Sequence, residues 1–360
     1  MNKKITEING LQFYNGLVSG INNLLEYKNK LDEINVFPVP DGDTGTNMCF
    51  TLLPIVEECK SEVTIDISET MNIIADKALE SARGNSGTII AQFFHGMRKT
   101  TSKKNILNIR DVAEALNQGF VSSKESLLKP EEGTIITVMR DVATKSADIV
   151  NNEDLIYFED FLDKCYHHSI ISLEKTKTIL AILKKSDVVD AGALGFVLII
   201  QGWLNSFQKS TKIQSHHLNI SYEHSKIEAL KKNIDFIITN KFCTECSIVG
   251  SNINRSELKK MVKNLGDSMV VAGTKDRVKI HIHTNTPAKL YKICSIYGKV
   301  VDRKVDDMTK QEHTVHHTGP SGISIVVDSG ADIPEDYIDD IEVVPVRYSF
   351  GNQQHIDKVT

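Results

Sequence analysis

Through the first half of the chain, apolar residues recur three and four positions apart. Leu11, Tyr14, Val18, Ile21 and Leu25 share one such face, and Met71, Ile74, Ala78 and Leu79 share another. That spacing predicts amphipathic helices. The helical pattern breaks at Arg83–Gly87 and resumes over Thr88–Met97. It continues at 111–120, 134–150, 155–171, 173–183 and 191–205, with Pro130 and Gly133 marking one junction. Few segments in residues 1–205 alternate with period two, so this part predicts a helical bundle. Residues 206–225 are polar, with Ser, Lys and His clustered, and read as a linker. Strands are then predicted at Cys243–Val249, Ser268–Ala272, Arg277–Thr284 and Lys299–Val305, and helices at Arg255–Asn264 and Pro287–Ile296. The order βαββαβ predicts a small α+β domain of ferredoxin-like type over 226–306. A second polar linker covers 307–321. From Gly322 the run Ile323–Asp328, the turn Ser329–Pro334 and the run Glu342–Tyr348 read as the opening of an α/β unit, residues 322–360.

Composition narrows the function classes. With 360 residues, 41% hydrophobic and 25% charged, the chain has ordinary globular character and room for two or three domains. A net charge of −5, one Trp and 6% aromatics argue against nucleic acid as a partner. The longest apolar run, Ala193–Ile200, is too short for a bilayer, and the first residues do not resemble a signal peptide. Six scattered cysteines then predict reduced thiols in a cytoplasm.

The chemistry concentrates in loops. In Pro38-Val-Pro-Asp-Gly-Asp-Thr-Gly-Thr-Asn-Met48, two prolines stiffen the approach and Asp41 and Asp43 stand one residue apart. Such a loop suits a hard divalent cation, although Asp and Gly also make ordinary turns. In Ala82-Arg-Gly-Asn-Ser-Gly87, Ser86 and the amides opening the next helix could cradle phosphate oxygens. Asp190-Ala-Gly-Ala-Leu-Gly195 is a third loop of this character, and Glu132-Gly-Thr134 a weaker fourth. None contains a Walker A motif or a dinucleotide fingerprint. On the Arg277–His283 strand, Lys279, His281 and His283 share one face. The histidine pair could reach a common metal with Cys243, or could face solvent beside a buried thiol. Cys243 and Cys246 would point to opposite sides of their strand, which disfavours a redox pair.

In this order, the loops at Pro38–Met48, Ala82–Gly87 and Asp190–Gly195 resemble the nucleotide-binding domain of dihydroxyacetone kinases. Over residues 1 to about 310 the chain resembles the catalytic subunit of bacterial fatty acid kinases. The resemblance implies an all-α helical barrel that binds ATP through two magnesium ions, with Asp41 and Asp43 as ligands. It also implies phosphate or nucleotide contacts from Thr44, Asn47, Met48, Ser86, Gly87, Thr134, Asp190 and Gly192. Arg83 could neutralise developing charge or could instead pair structurally with an acidic residue. Where related proteins carry a further Asp, Asn35 stands here. For the middle domain it implies a structural zinc ion on Cys243, His281 and His283. The tail, Ile325–Pro334 with Val343–Val346, resembles the start of DegV-like fatty-acid-binding proteins, either as a remnant or as part of a longer chain. The implied reaction is transfer of the ATP γ-phosphoryl group to a fatty acid carboxylate presented by a DegV-like partner, and a homodimer is compatible with the sequence. Two alternatives stay open: a kinase for dihydroxyacetone or a similar small molecule, and a non-catalytic nucleotide- and lipid-linked scaffold.

Overall fold

Two asparagines show how local chemistry sets the first elements. Strand β1 (Glu7–Asn9) pairs antiparallel with β2 (Ile106–Asn108), and each ends on an Asn that caps the helix after it. Asn9 accepts from Gln12 N and Asn108 from Asp111 N, both within complete capping boxes. The computed structural model describes residues 5–152, 157–207, 239–308, 325–328, 341–344, 346–350 and 353–356. Met1–Gln311 forms one compact unit and Glu312–Thr360 a second.

The helices of the first unit's N-terminal part are α1 (Gly10–Glu26), α2 (Lys28–Glu33), α3 (Thr44–Glu58), α4 (Ile67–Ser81) and α5 (Gly84–Thr101). They continue with α6 (Ile109–Ser126), α7 (Ile135–Asn152), α8 (Phe158–Ile179), α9 (Ala181–Ser186) and α10 (Ala191–Phe207). Helix α10 is apolar nearly all round, so it is buried from Ala191 to Leu204 and packs closely on α1, where Gly202 faces Gly20. Two expectations change. The predicted helices 155–171 and 173–183 are divided later, at Leu180, because Ser172 and Leu173 are buried within a continuous α8. Helix α3 was not predicted, since Gly45 and Pro54 both disfavour a helix, yet Pro54 lies inside it. Gly45 sits there because a side chain would collide with the Lys28 carbonyl.

The sheet of the first unit comprises β3 (Phe242–Val249), β4 (Gly266–Gly273), β5 (Arg277–Thr284) and β6 (Lys299–Asp307). Helices α11 (Arg255–Val262) and α12 (Pro287–Cys294) complete the βαββαβ order. The strand order is β4-β5-β3-β6 with antiparallel neighbours. One face of the sheet carries Cys246, Ile248, Val278, Ile280 and Ile282, packed with Leu258 and Leu290 into a core. Helices of the N-terminal part pack against the sheet as well, chiefly α5 on β4. The edge strand β4 reaches the end of α6 through an antiparallel bridge, Leu127 to Val270, and a Leu128 N to Met269 O bond of 3.2 Å. Nearby, Gly273 N donates to Gln92 Oε1 at 2.8 Å, and Lys259 Nζ donates to the Glu125 and Leu127 carbonyls.

The second unit contains β7 (Ile325–Asp328) paired parallel with β8 (Ile341–Val344), as an α/β opening requires. Strands β9 (Arg347–Phe350) and β10 (Gln353–Ile356) form an antiparallel pair, so the predicted strand Glu342–Tyr348 is divided between β8 and β9. The linker expected at 206–225 lies outside the described residues after Phe207, as does the one at 307–321 after Met308 and the turn Ser329–Pro334. Among the described residues, no helix is long and apolar enough to cross a membrane.

Candidate functional site

Asp32, just ahead of the acidic loop, holds its far end. The Asp32 carboxylate accepts from Thr46 N at 2.9 Å and Thr46 Oγ1 at 2.7 Å, fixing the start of α3. Gly42 takes φ of +68°, a left-handed turn that brings Asp41 and Asp43 to one pocket. Burial and the neighbouring Asp43 push the Asp41 carboxyl up to about 8, and burial raises Asp43 as well. Asn35 is 2% exposed and donates to Asp41 Oδ1 at 2.6 Å, while its own Oδ1 is buried with no hydrogen-bond partner among the described residues. Two crowded carboxylates and an orphaned amide oxygen make an oxygen-rich donor set that fits a hard divalent cation.

The second wall is the start of α5. Gly84 has φ of +58°, and a Cβ there would collide with the Asn47 amide; one at Gly87 would collide with Thr51. Glycine therefore lets the helix N-terminus lie against α3, with Gly84, Asn85 and Ser86 lining the pocket. Thr44, Asn47 and Ser86 all line the acidic pocket. Ser86 also lines an adjoining cavity of about 390 Å³, together with Pro38 and Asn85. That cavity is largely apolar: Ile89 and Ile135 come from helices α5 and α7, Leu127 and Leu128 from the segment just after α6, and Gly266–Met269 from β4. Thr134 and Asp190 line it as well. Asp190 Oδ2 accepts from Ile135 N at 3.0 Å and Ala193 N at 2.8 Å, capping α7 and α10 at once. Burial pushes its carboxyl up to about 6.

The sheet supplies the third wall. In the β3–β5 register Cys243 opposes His283 and Glu245 opposes His281. One ligand atom from each of Cys243, His281 and His283 lies within 4.8 Å of the others. Both histidines are buried, at 2% and 4% exposure, so this face does not meet solvent as one expectation had it. His281 Nδ1 lies 2.9 Å from Glu245 Oε1, while its Nε2 is buried without a hydrogen-bond partner among the described residues. His283 Nδ1 lies 3.5 Å from Asp267 Oδ1. Burial opposes ionisation of Cys243, but His281 and His283 outweigh it and hold the thiol at about 7. A thiol easily ionised, two imidazoles and carboxylates behind them fit a zinc-type donor set. Cys246 points the other way, with Sγ 3.9 Å from Cys294 in the sheet core, which bears out the opposite-face expectation.

Of the predicted residues, Asp41, Asp43, Thr44, Asn47 and Ser86 meet around one pocket with Cys243, His281 and His283. Gly87 and Gly192 serve close approach, Gly192 beside Ser86 Oγ and Asp190. Met48 corrects an expectation: it is fully buried against Gly195 in the helical core, because it lies on the inward face of α3. Arg83 is half-exposed, and its guanidinium lies 3.9 Å from Glu245 Oε2. Glu245 and Lys304 line the pocket and were not singled out from sequence. A signal existed for Glu245, two residues after Cys243 and so on the same strand face; Lys304 offered none.

Comparison with known families places a DAK2 domain at residues 38–205 and a FakA-like middle domain, of the fatty acid kinase type, at residues 239–315. Uncharacterized proteins of Staphylococcus aureus strains USA300, N315 and Mu50 are each 32% identical over 323 residues. The match covers 86% of this chain and 58% of each relative, so the chain spans little more than half their length. Among solved structures, the dihydroxyacetone kinase from C. freundii in complex with AMP-PNP and Mg2+ is similar at a TM-score of 0.44 and 17% identity. That match covers 57% of this chain and 35% of the kinase.

Proposed function

From a chain that joins a DAK2 domain to a FakA-like middle domain, we propose an ATP-dependent phosphotransferase whose acceptor is a fatty acid carboxylate. A DegV-like fatty-acid-binding protein would present the acyl chain. The observation that carries this reading is the shared wall at Asn85 and Ser86, which joins an apolar cavity of about 390 Å³ to a pocket lined by two half-buried carboxylates, Asp41 and Asp43. A purine base suits the apolar end, and a triphosphate reaches the acidic end. Asp41 and Asp43 would hold magnesium, with the Asn35 amide oxygen in place of a third carboxylate. Magnesium supplies charge neutralisation on the phosphate oxygens. Thr44, Asn47, Ser86 and the α5 amides would hydrogen-bond and orient those oxygens. A carboxylate acceptor is already ionised near neutral pH, so no general base is required. Cys243, His281 and His283 would hold zinc, with Glu245 and Asp267 orienting the two imidazoles. Under this reading residues 1–205 bind nucleotide, 226–306 form the middle domain and 322–360 begin a DegV-like segment.

Supplying the chain with ATP, magnesium and a fatty-acid-loaded carrier should yield ADP and acyl phosphate. Combined Asp41→Ala and Asp43→Ala substitution should abolish this; turnover that survives it would refute the magnesium assignment. Protein purified without chelator should hold one zinc per chain, and Cys243→Ser should lower that content. Zinc far below stoichiometry would remove the zinc assignment.

A further inference from the structure

We propose that Lys304, supplied by the sheet, is a catalytic residue that contacts the phosphoryl group in flight. The inference rests on the phosphotransferase reading above. The acidic pocket is lined from the helical side by Asp41, Asp43 and Ser86, and from β6 by Lys304. Among the described residues lining it, Lys304 is the sole lysine or arginine. The neighbouring cations are committed elsewhere. Lys279 is buried with Nζ 3.5 Å from Glu245 Oε2, and Arg83 approaches the same oxygen. Lys304 Nζ lies 2.5 Å from Asp306 Oδ2, which engages one of its three donors and steadies the side chain. Its charge is also felt at Asp43 across the pocket, where it offsets part of the effect of burial.

The reaction explains why a cation belongs there. The bond from the γ-phosphorus to the β–γ bridging oxygen breaks, and ADP leaves with the electron pair. A carboxylate oxygen forms the new bond to phosphorus. No proton changes hands, so Lys304 stays protonated throughout. Negative charge spreads over three equatorial oxygens in the transition state, and catalysis consists largely of positioning and neutralising it. Asp41 and Asp43 serve this group only through a bound cation, from one side. Lys304 meets it from the opposite wall and comes from a different structural layer, so the charged site is complete only when the sheet is docked on the helices.

The test is binding of Mg-ADP, with and without tetrafluoroaluminate as the phosphoryl mimic, measured by calorimetry on the full chain. The wild type should bind Mg-ADP and gain about tenfold or more when the mimic is added. Lys304→Met should keep Mg-ADP affinity within about threefold while losing most of that gain, the size expected for one electrostatic contact. Lys304→Arg should retain a substantial part of it. A gain that Lys304→Met keeps in full, or that the wild type never shows, overturns the role of Lys304. Failure of the wild type to bind Mg-ADP at all overturns the phosphotransferase reading instead.

Discussion

Asp190 shows how one atom can join two helices beside a candidate ligand site. Its Oδ2 accepts the first amide of α7 and an amide of the first turn of α10, fully inside the protein. Burial pushes its carboxyl to about 6, above the ordinary 3.8. The folded state therefore holds a proton that the unfolded chain releases. Its stabilising contribution is fully present below the unfolded value and is lost as pH rises through 6. Asp190→Asn keeps an acceptor oxygen without the charge. Relative to that variant, the wild type should gain stability as pH falls from 7 to 4, by at most about 3 kcal/mol. Denaturant titrations of both proteins across that range would measure it, and a difference independent of pH would contradict the assignment. The sequence marked Asp190 for its place in a glycine-rich loop. That a carboxylate there caps two helices depends on α7 ending up beside α10, which no local pattern encodes.

At the scale of elements, the periodic helices and the βαββαβ order were legible because packing and local preference agree in them. Helix α3 was not, because Gly45 and Pro54 are poor helix residues, and Gly45 is required by the close approach of the Lys28 carbonyl on α2 rather than by helix preference. The start of α5 was marked by its glycines, and the structure gives the reason. Gly84→Ala would place a side chain in a left-handed conformation and press it against Asn47. The strain alone should lower the unfolding free energy by roughly 1–2 kcal/mol. Because the displaced Asn47 lines the pocket, Mg-ADP binding should weaken as well. Calorimetric unfolding and binding would report the two effects separately, and unchanged binding would mean that Asn47 does not face the nucleotide.

At the scale of the molecule, the decisive residue is Glu245. Its carboxylate is buried on β3, accepts from Gly84 N at 2.7 Å and lies 2.9 Å from His281 Nδ1. With Lys279 and Arg83 close by, one side chain ties the candidate zinc cluster to the start of α5. Glu245→Ala would leave Lys279 buried and uncompensated, a change that destabilises by about 3–5 kcal/mol. Combining Lys279→Met with Glu245→Gln should recover a good part of that loss, measurable by denaturant unfolding. If the double variant is no better than Glu245→Ala, the ion pair is not what holds this interface. By itself, the sequence determined most of the helices, the order of the sheet elements and most of the pocket residues. It could do so because helical periodicity, strand alternation and glycine-rich turns are local properties of a chain. Only the tertiary structure decided that the Cys243, His281 and His283 face is buried against Asp41 and Asp43, and that Lys304 joins them. Residues more than two hundred positions apart share that pocket through docking of the sheet on the helices, and the surfaces that dock are set by complementary shape and charge rather than by any repeat in the sequence.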